Sequence, residues 1–484
     1  MKEIIIDPIT RLEGHGKIVI FLNEAGEVEN AYLQVPELRG FERFCISRKA
    51  EDMPILTSRI CGVCPVAHHM ASTKTLDAAF HVEPPEPAKK LRELMYCGYI
   101  IYDHTLHFYY LGGPDFIVGP KAPPEKRNIL GVIEKVGLDI GKEVIRHRSY
   151  GQKIVEIIGG KATHPVSGLP GGLSKPLSEE KRQEIEKMAE SSVKFAQFTL
   201  EIFHKIVLEN TEYVDLIKSD IYSLRTYYMG LVDDKNRLNF YDGKIRVMNP
   251  AGNEFAKFDV KDYLDHIAEH VEEWTYVKLP YLKKIGWRGF VDGPDSGIYR
   301  VGPLARLNVS EALATPLANE EYKTMYKMLG GRPIHSTLAF HWARLIELLY
   351  AAERALELVR DPEITSKNVR NVPGEPGEGV GVVEAARGTL IHHYVLDKNA
   401  LVKDVNLIVA TVNNAPSINM SIRNAAKGLI RGEHVEEGLL NMVEMAFRAY
   451  DPCFGCATHF AFGQMPLTIE IYDSERRMIK RIQR

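Results

Sequence analysis

The chain has 484 residues, 45% of them hydrophobic and 26% charged, with a formal net charge of −3. That balance is ordinary for a soluble globular protein and excludes the strongly basic surface that nucleic acid or an anionic membrane demands. No apolar run is long enough to span a bilayer, and the start MKEIIIDPITRLEGH lacks a signal-peptide core, so the expected compartment is the cytoplasm.

Taken in chain order, residues 4–6 and 17–35 read as short strands, with the turn NEAG between two apolar runs suggesting a hairpin. From about residue 54 the apolar spacing becomes helical. Residues 84–113 place prolines at a helix start and glycines at its end. Residues 127–158 read as helix with a softer patch at GLDIGK, and GGKATHPVSGLPGG, 159–172, as a loop. A long helix is expected over 178–214, a mixed glycine- and proline-bearing region over 230–310, and helix again over 318–360. NVPGEPGEGVG, 371–381, is a loop by composition. Helical runs follow around 400–450, then a strand and a charged end. No repeat, low-complexity segment or linker interrupts this pattern. The expected fold class is α+β, predominantly α: a large helical-bundle core with an N-terminal β element and a small mixed region.

Six cysteines are too few for a disulfide framework at this length. Cys45 and Cys97 stand alone and read as buried small hydrophobes. The other four form two CxxC pairs at opposite ends of the chain, Cys61 and Cys64 in RICGVCPVAH and Cys453 and Cys456 in DPCFGCATH. Zinc ribbons keep their pairs within a few tens of residues, so a small autonomous zinc module is not expected. Neither pair follows a βαβ pattern, which argues against a thioredoxin-like function. Four soft thiolates converging from the two ends of a large subunit suit zinc, iron or nickel, and the donor set alone leaves structural zinc and a redox metal equally open.

Six segments in this order, DPITRLEGH, RICGVCPVAH, GGKATHPVSGLPGG, VGPLAR, EAARG and DPCFGCATH, together resemble the large subunit of nickel–iron hydrogenases. The resemblance runs from Asp7 to His459. It implies a nickel–iron centre with Cys61 and Cys453 as terminal nickel ligands, Cys64 and Cys456 bridging to iron, and carbon monoxide and cyanide on that iron. Glu13 matches the family's proton-relay glutamate, a group whose pKa burial would raise into a useful range. Arg387 matches the arginine over the open metal position, where a fixed guanidinium orients or polarises a diatomic ligand. Asp451 matches an aspartate able to pair with it. His68 resembles the histidine that hydrogen-bonds a bridging sulfur; His69 has no matching role and reads as packing. Glu42, His459 and the backbone around Asn406 resemble ligands of a separate magnesium or iron ion. Ala410 stands where relatives carry a serine near the cyanides, with Thr411 adjacent.

The resemblance further implies a domain over 1–459 and a C-terminal extension, 460–484, of the kind removed by a maturation protease after nickel chaperones have acted. The two leftover cysteines cannot ligate an iron–sulfur cluster and no G-x-G-x-x-G opens a strand–helix unit, so electrons must leave through a partner. The family supplies an iron–sulfur small subunit, and a large, fairly apolar interface is expected. Within the family, PELRGFE and ATHFAFGQMPL resemble the cytoplasmic methyl-viologen-reducing, deazaflavin-non-reducing type that feeds heterodisulfide reductase. Types reducing nicotinamide cofactors, sulfur or a deazaflavin coenzyme are the runners-up. A scaffold like the quinone-side subunit of complex I would lack the four cysteines, and a structural zinc protein would not need Glu13, Arg387 and Asp451.

Overall fold

Three strands, β1 (Lys2–Ile6), β2 (Lys17–Leu22) and β3 (Val28–Gln34), form an antiparallel meander at the start of the chain. Ile18, Ile20 and Leu22 are two apart and turn inward, as a half-buried strand requires. The computed structural model describes residues 2–432, 435–458, 468–472 and 478–483.

After the short helix α1 (Phe41–Cys45) the helical core follows: α2 (Pro65–Ala79), α3 (Glu86–Leu106), α4 (Leu138–Gly159) and α5 (Glu179–Phe203). In α5 the buried residues Ile185, Met188, Ala189, Ser192, Phe195, Ala196, Thr199 and Leu200 keep helical spacing, and Ser178 caps the first turn by accepting from Lys181 N at 3.3 Å. The mixed region holds β4 (Tyr227–Val232), β5 (Lys244–Met248), β6 (Glu254–Phe258) and β7 (Tyr299–Arg300), in the order β7-β4-β5-β6. Helix α6 (Phe340–Val359) is apolar nearly all round and runs through the core against α3 and α5. A second three-stranded sheet, β8 (Glu378–Ala385), β9 (Gly388–Leu396) and β10 (Val402–Ile408), lies against α2. Then come α7 (Ala410–Leu429), α8 (Glu437–Arg448) and the one-turn α9 (Phe454–Ala457), and a hairpin of β11 (Thr468–Tyr472) and β12 (Met478–Gln483). The α+β, mainly helical class is the one expected.

Several boundaries differ from expectation. The helical stretch from residue 54 breaks between Met53–Ser58 and α2, because Pro65 begins a new helix and disfavours helical geometry at Cys64 before it. The stretch 127–158 is two helices broken at Gly137, and 178–214 passes through a π-helical turn, His204–Leu208, before Thr211–Lys218. The expected loop 371–381 gives its last residues to β8, and 402–408 is a strand, not helix. Val405 and Leu407 keep the two-residue period of a strand, but the irregular pairing near Lys403 shifts Val402 out of it and Ile408 is buried as well, so no clean alternation shows.

Candidate metal centre

The two half-sites meet. Cys61 and Cys64 lie in the turn before α2, and Cys453 and Cys456 bracket the first turn of α9. Cys61 Sγ is 3.2 Å from Cys453 Sγ, and Cys64 Sγ is 3.0 Å from Cys456 Sγ, pairs each 392 residues apart in sequence. All four are buried, with their sulfurs within 4.8 Å of one another. Hydrogen bonds from the other three sulfurs hold the Cys61 thiol below its ordinary range, while burial holds Cys453 and Cys456 above theirs. Arg39, which the motifs did not single out, ties the halves together: Nη1 donates to the carbonyls of Ile60 and of Gly455, the latter at 3.0 Å.

Glu13 joins the second half-site through its backbone and its side chain. Its carbonyl accepts from Phe454 N at 2.9 Å, and its Oε2 accepts from Cys453 Sγ and from Gly455 N, both at 2.9 Å. Burial raises the carboxyl's pKa, the Cys61 charge adds to this, and the Cys453 and Gly455 hydrogen bonds oppose it. Position 455 must be glycine for this approach, since a Cβ there would lie 2.5 Å from Glu13 Oε1.

Arg387 occupies the tip of the two-residue hairpin between β8 and β9, whose last pair is Ala385 with Gly388. Its Nη1 meets Asp103 Oδ2 at 3.1 Å and its Nη2 meets Asp451 Oδ2 at 3.0 Å, and its charge is felt by Cys453 and Cys64. Burial pushes the Asp451 carboxyl up against the pull of Arg387. Asp451 also takes a left-handed backbone, φ 56°, of the kind that collects at functional sites. The hairpin is braced by Arg306 of the VGPLAR segment, which meets both Glu347 oxygens at 2.6 and 2.7 Å, Glu384 Oε2 at 2.8 Å and the Ala385 carbonyl at 2.8 Å. Asp103 carried no signal in the sequence, because it is one of three acids along the helix α3, with Glu86 and Glu93, and nothing local sets it apart.

Nε2 of His68, one turn into α2, is 3.4 Å from Cys456 Sγ. His69 does more than fill space: its Nδ1 faces the Pro54 carbonyl at 3.1 Å and its Nε2 accepts from Gly168 N at 3.0 Å, which pins the 159–172 loop. Thr411 Oγ1 accepts from Cys453 N at 3.0 Å, and Ala410 is buried beside it at the start of α7. Glu42 Oε1 accepts from Leu407 N at 2.8 Å, while the Asn406 side chain donates to Tyr263 Oη at 2.8 Å. The backbone meeting Glu42 is thus that of Leu407. His459 lies outside the described residues. Cys45 and Cys97 are buried and take no part in the cluster, and burial raises both thiols, Cys45 to about 12.

These residues fit a thiolate-bound metal. A tetrahedron with metal–sulfur bonds of about 2.3 Å has sulfur–sulfur edges of about 3.8 Å, inside the observed spread. Arg387 Nε and Asp103 Oδ1 are two of the buried side-chain polar atoms without a hydrogen-bond partner among the described residues.

The family described as nickel-dependent hydrogenase matches residues 39–123 and 143–459, and one described as HoxL-like matches 3–38. The iron-sulfur subunit of an F420-non-reducing hydrogenase from Archaeoglobus profundus is 49% identical over 484 residues, covering 100% of this chain and 99% of its own. The beta subunit of the NAD-reducing hydrogenase HoxS from Cupriavidus necator is 38% identical over 496 residues, covering 99% of each. Both names denote one subunit of a multi-subunit enzyme. A crystal structure of an NAD+-reducing NiFe hydrogenase in the H2-reduced state matches with TM-score 0.89 and 37% identity, over 95% of this chain and 100% of its own. Among the described residues, no helix is long and apolar enough to cross a membrane. The chain belongs to the nickel-dependent hydrogenase family, as the large, catalytic subunit of a nickel–iron hydrogenase, an oxidoreductase acting on dihydrogen.

Proposed function

We propose that the four cysteines hold a binuclear nickel–iron centre, with Cys61 and Cys453 terminal on nickel, Cys64 and Cys456 bridging, and carbon monoxide and cyanide on the iron. When bound, the two metals polarise dihydrogen and take up its electrons. The observation that carries the reading is the convergence of four buried sulfurs with Glu13 Oε2 at 2.9 Å from one of them. The proton released on cleavage passes from Cys453 Sγ to Glu13 Oε2, which is already in hydrogen-bond contact and whose raised pKa suits the transfer. Arg387, locked between Asp103 and Asp451, keeps a fixed positive charge beside the cluster. His68 Nε2 faces Cys456 Sγ, while Ala410 and Thr411 would line the iron side. Glu42, the backbone around Asn406 and His459 would hold a separate magnesium or iron ion.

The whole-length likeness to a deazaflavin-non-reducing hydrogenase supports the same type here. Electrons then leave through an iron–sulfur small subunit to further carriers such as heterodisulfide reductase, in the cytoplasm. Residues 1–459 form the catalytic domain, and 460–484 is a processing extension cut by a maturation protease once nickel chaperones have loaded the site. Elemental analysis of the chain purified with its partner tests the reading: one nickel with iron per chain is expected, and zinc in their place contradicts it.

A further inference from the structure

Behind His68 a file of polar groups runs through a fully buried part of the molecule. His68 Nδ1 is 3.2 Å from His392 Nε2, His392 Nδ1 is 2.7 Å from Tyr394 Oη, and Tyr394 Oη is 2.9 Å from Ser72 Oγ. With the 3.4 Å contact from His68 Nε2 to Cys456 Sγ, four links connect a cluster sulfur to a serine hydroxyl. His68, Ser72, His392 and Tyr394 are each 0% exposed.

The file follows from how two elements meet. His68 and Ser72 are one turn apart on one face of α2, and His392 and Tyr394 are two apart on one face of β9. One helical turn and two strand residues advance by similar distances, about 6 and 7 Å, so the four side chains interdigitate. Close contact between α2 and the sheet is permitted by Gly381 of β8, where a Cβ would lie 2.4 Å from Thr75 N and 2.5 Å from Ala71 O. Thr75 Oγ1 lies 3.1 Å from the His392 carbonyl and 2.8 Å from the Ala71 carbonyl, so its one proton is shared between strand and helix. A buried file of imidazoles and hydroxyls costs desolvation that an apolar filling would avoid, so it points to a task beyond packing.

A neutral imidazole donates through one nitrogen and accepts through the other, so the links share one polarity. With the Tyr394 hydroxyl donating to His392 Nδ1, which keeps its lone pair, His392 Nε2 donates to His68 Nδ1 and His68 Nε2 donates to Cys456 Sγ. With that proton turned toward Ser72, each link reverses and His68 turns a lone pair to the sulfur. We propose that His392 and Tyr394 are positioning residues, which through His68 fix the ring orientation and tautomer facing Cys456 Sγ and thereby set the electron density on that sulfur. This rests on the reading above that Cys456 bridges nickel to an iron bearing carbon monoxide.

The test is infrared spectroscopy of the enzyme purified with its small subunit, as wild type, Tyr394→Phe, His392→Leu and His392→Gln, each with nickel and iron content measured. Tyr394→Phe removes a single hydroxyl and keeps the ring, so it remains informative where His392→Leu fails to fold. The expected result is full metal content with a displaced carbon monoxide band in Tyr394→Phe, a larger displacement in His392→Leu, and a smaller one in His392→Gln, whose amide can both donate and accept. Bands at wild-type positions in every metal-loaded variant overturn the proposal and leave the nickel–iron reading intact. Absence of bands in the wild type removes the nickel–iron reading, and the proposal with it.

Discussion

The two flanks of the cysteine cluster are built on different principles. On one side stands Glu13, half-buried, between β1 and β2, held by one thiol, one backbone N–H and the glycine that lets it close in. On the other stands Arg387, 3% exposed, between two carboxylates that are 0 and 2% exposed, on a hairpin tip that Arg306 clamps to α6. The first flank has one titratable group on an element that reaches outward, so it can pass a proton. The second holds Arg387 between two buried carboxylates, and burial lifts Asp451 to about 7 against the pull of that guanidinium.

Removing the cluster disables both flanks at once. Cys456→Ser should abolish the binuclear site, with loss of both metals by elemental analysis and no measurable hydrogen uptake. Next, Glu13→Gln should keep the metals and the fold yet lower turnover by roughly 100-fold or more, the scale of a general acid–base contribution; uptake at the wild-type rate would take Glu13 off the proton path. Gly455→Ala should come close behind, since its Cβ would meet Glu13 Oε1 at 2.5 Å and displace the carboxyl while leaving the four cysteines in place. Metal content near wild type with reduced turnover is the expected pair of readings.

The smallest effect lies outside both flanks. Burial lowers His69 to about 4 and His341 to about 3, from 6.5. The unfolded chain therefore binds more protons than the folded one between those values and 6.5, so these two rings make stability rise with pH through that window. Above pH 6.5 the folded state carries no penalty from them. At pH 5.5 each should cost about 1.4 kcal/mol. Chemical denaturation of the purified protein between pH 7.5 and 5.5 would register the loss, and His341→Gln should flatten the slope.

The half-sites were legible in the sequence because cysteines are rare and their spacing is rigid, and the order of the six motifs supplied the rest. The fold class followed from periodicity. What escaped was the sheet of β8, β9 and β10. Its first strand opens EGVG straight after GEPG and reads as loop by composition, because Gly381 must leave room for α2 instead of packing a side chain. With the sheet unseen, the hairpin that presents Arg387 was unseen too, and so was the pairing of His392 and Tyr394 with His68. Asp103 and Arg39 escaped for another reason: each acts through contacts with residues distant in sequence, Arg387 for one and Ile60 with Gly455 for the other, and such contacts leave no local pattern.

DPCFGCATH and RICGVCPVAH should form two halves of one nickel–iron site, and an infrared spectrum of the chain purified with its native partner, shown by mass to end at His459, puts this to the test. Carbon monoxide and cyanide bands from a single iron are the predicted result. A spectrum without them, from protein of that length carrying its full complement of metal, would contradict the account.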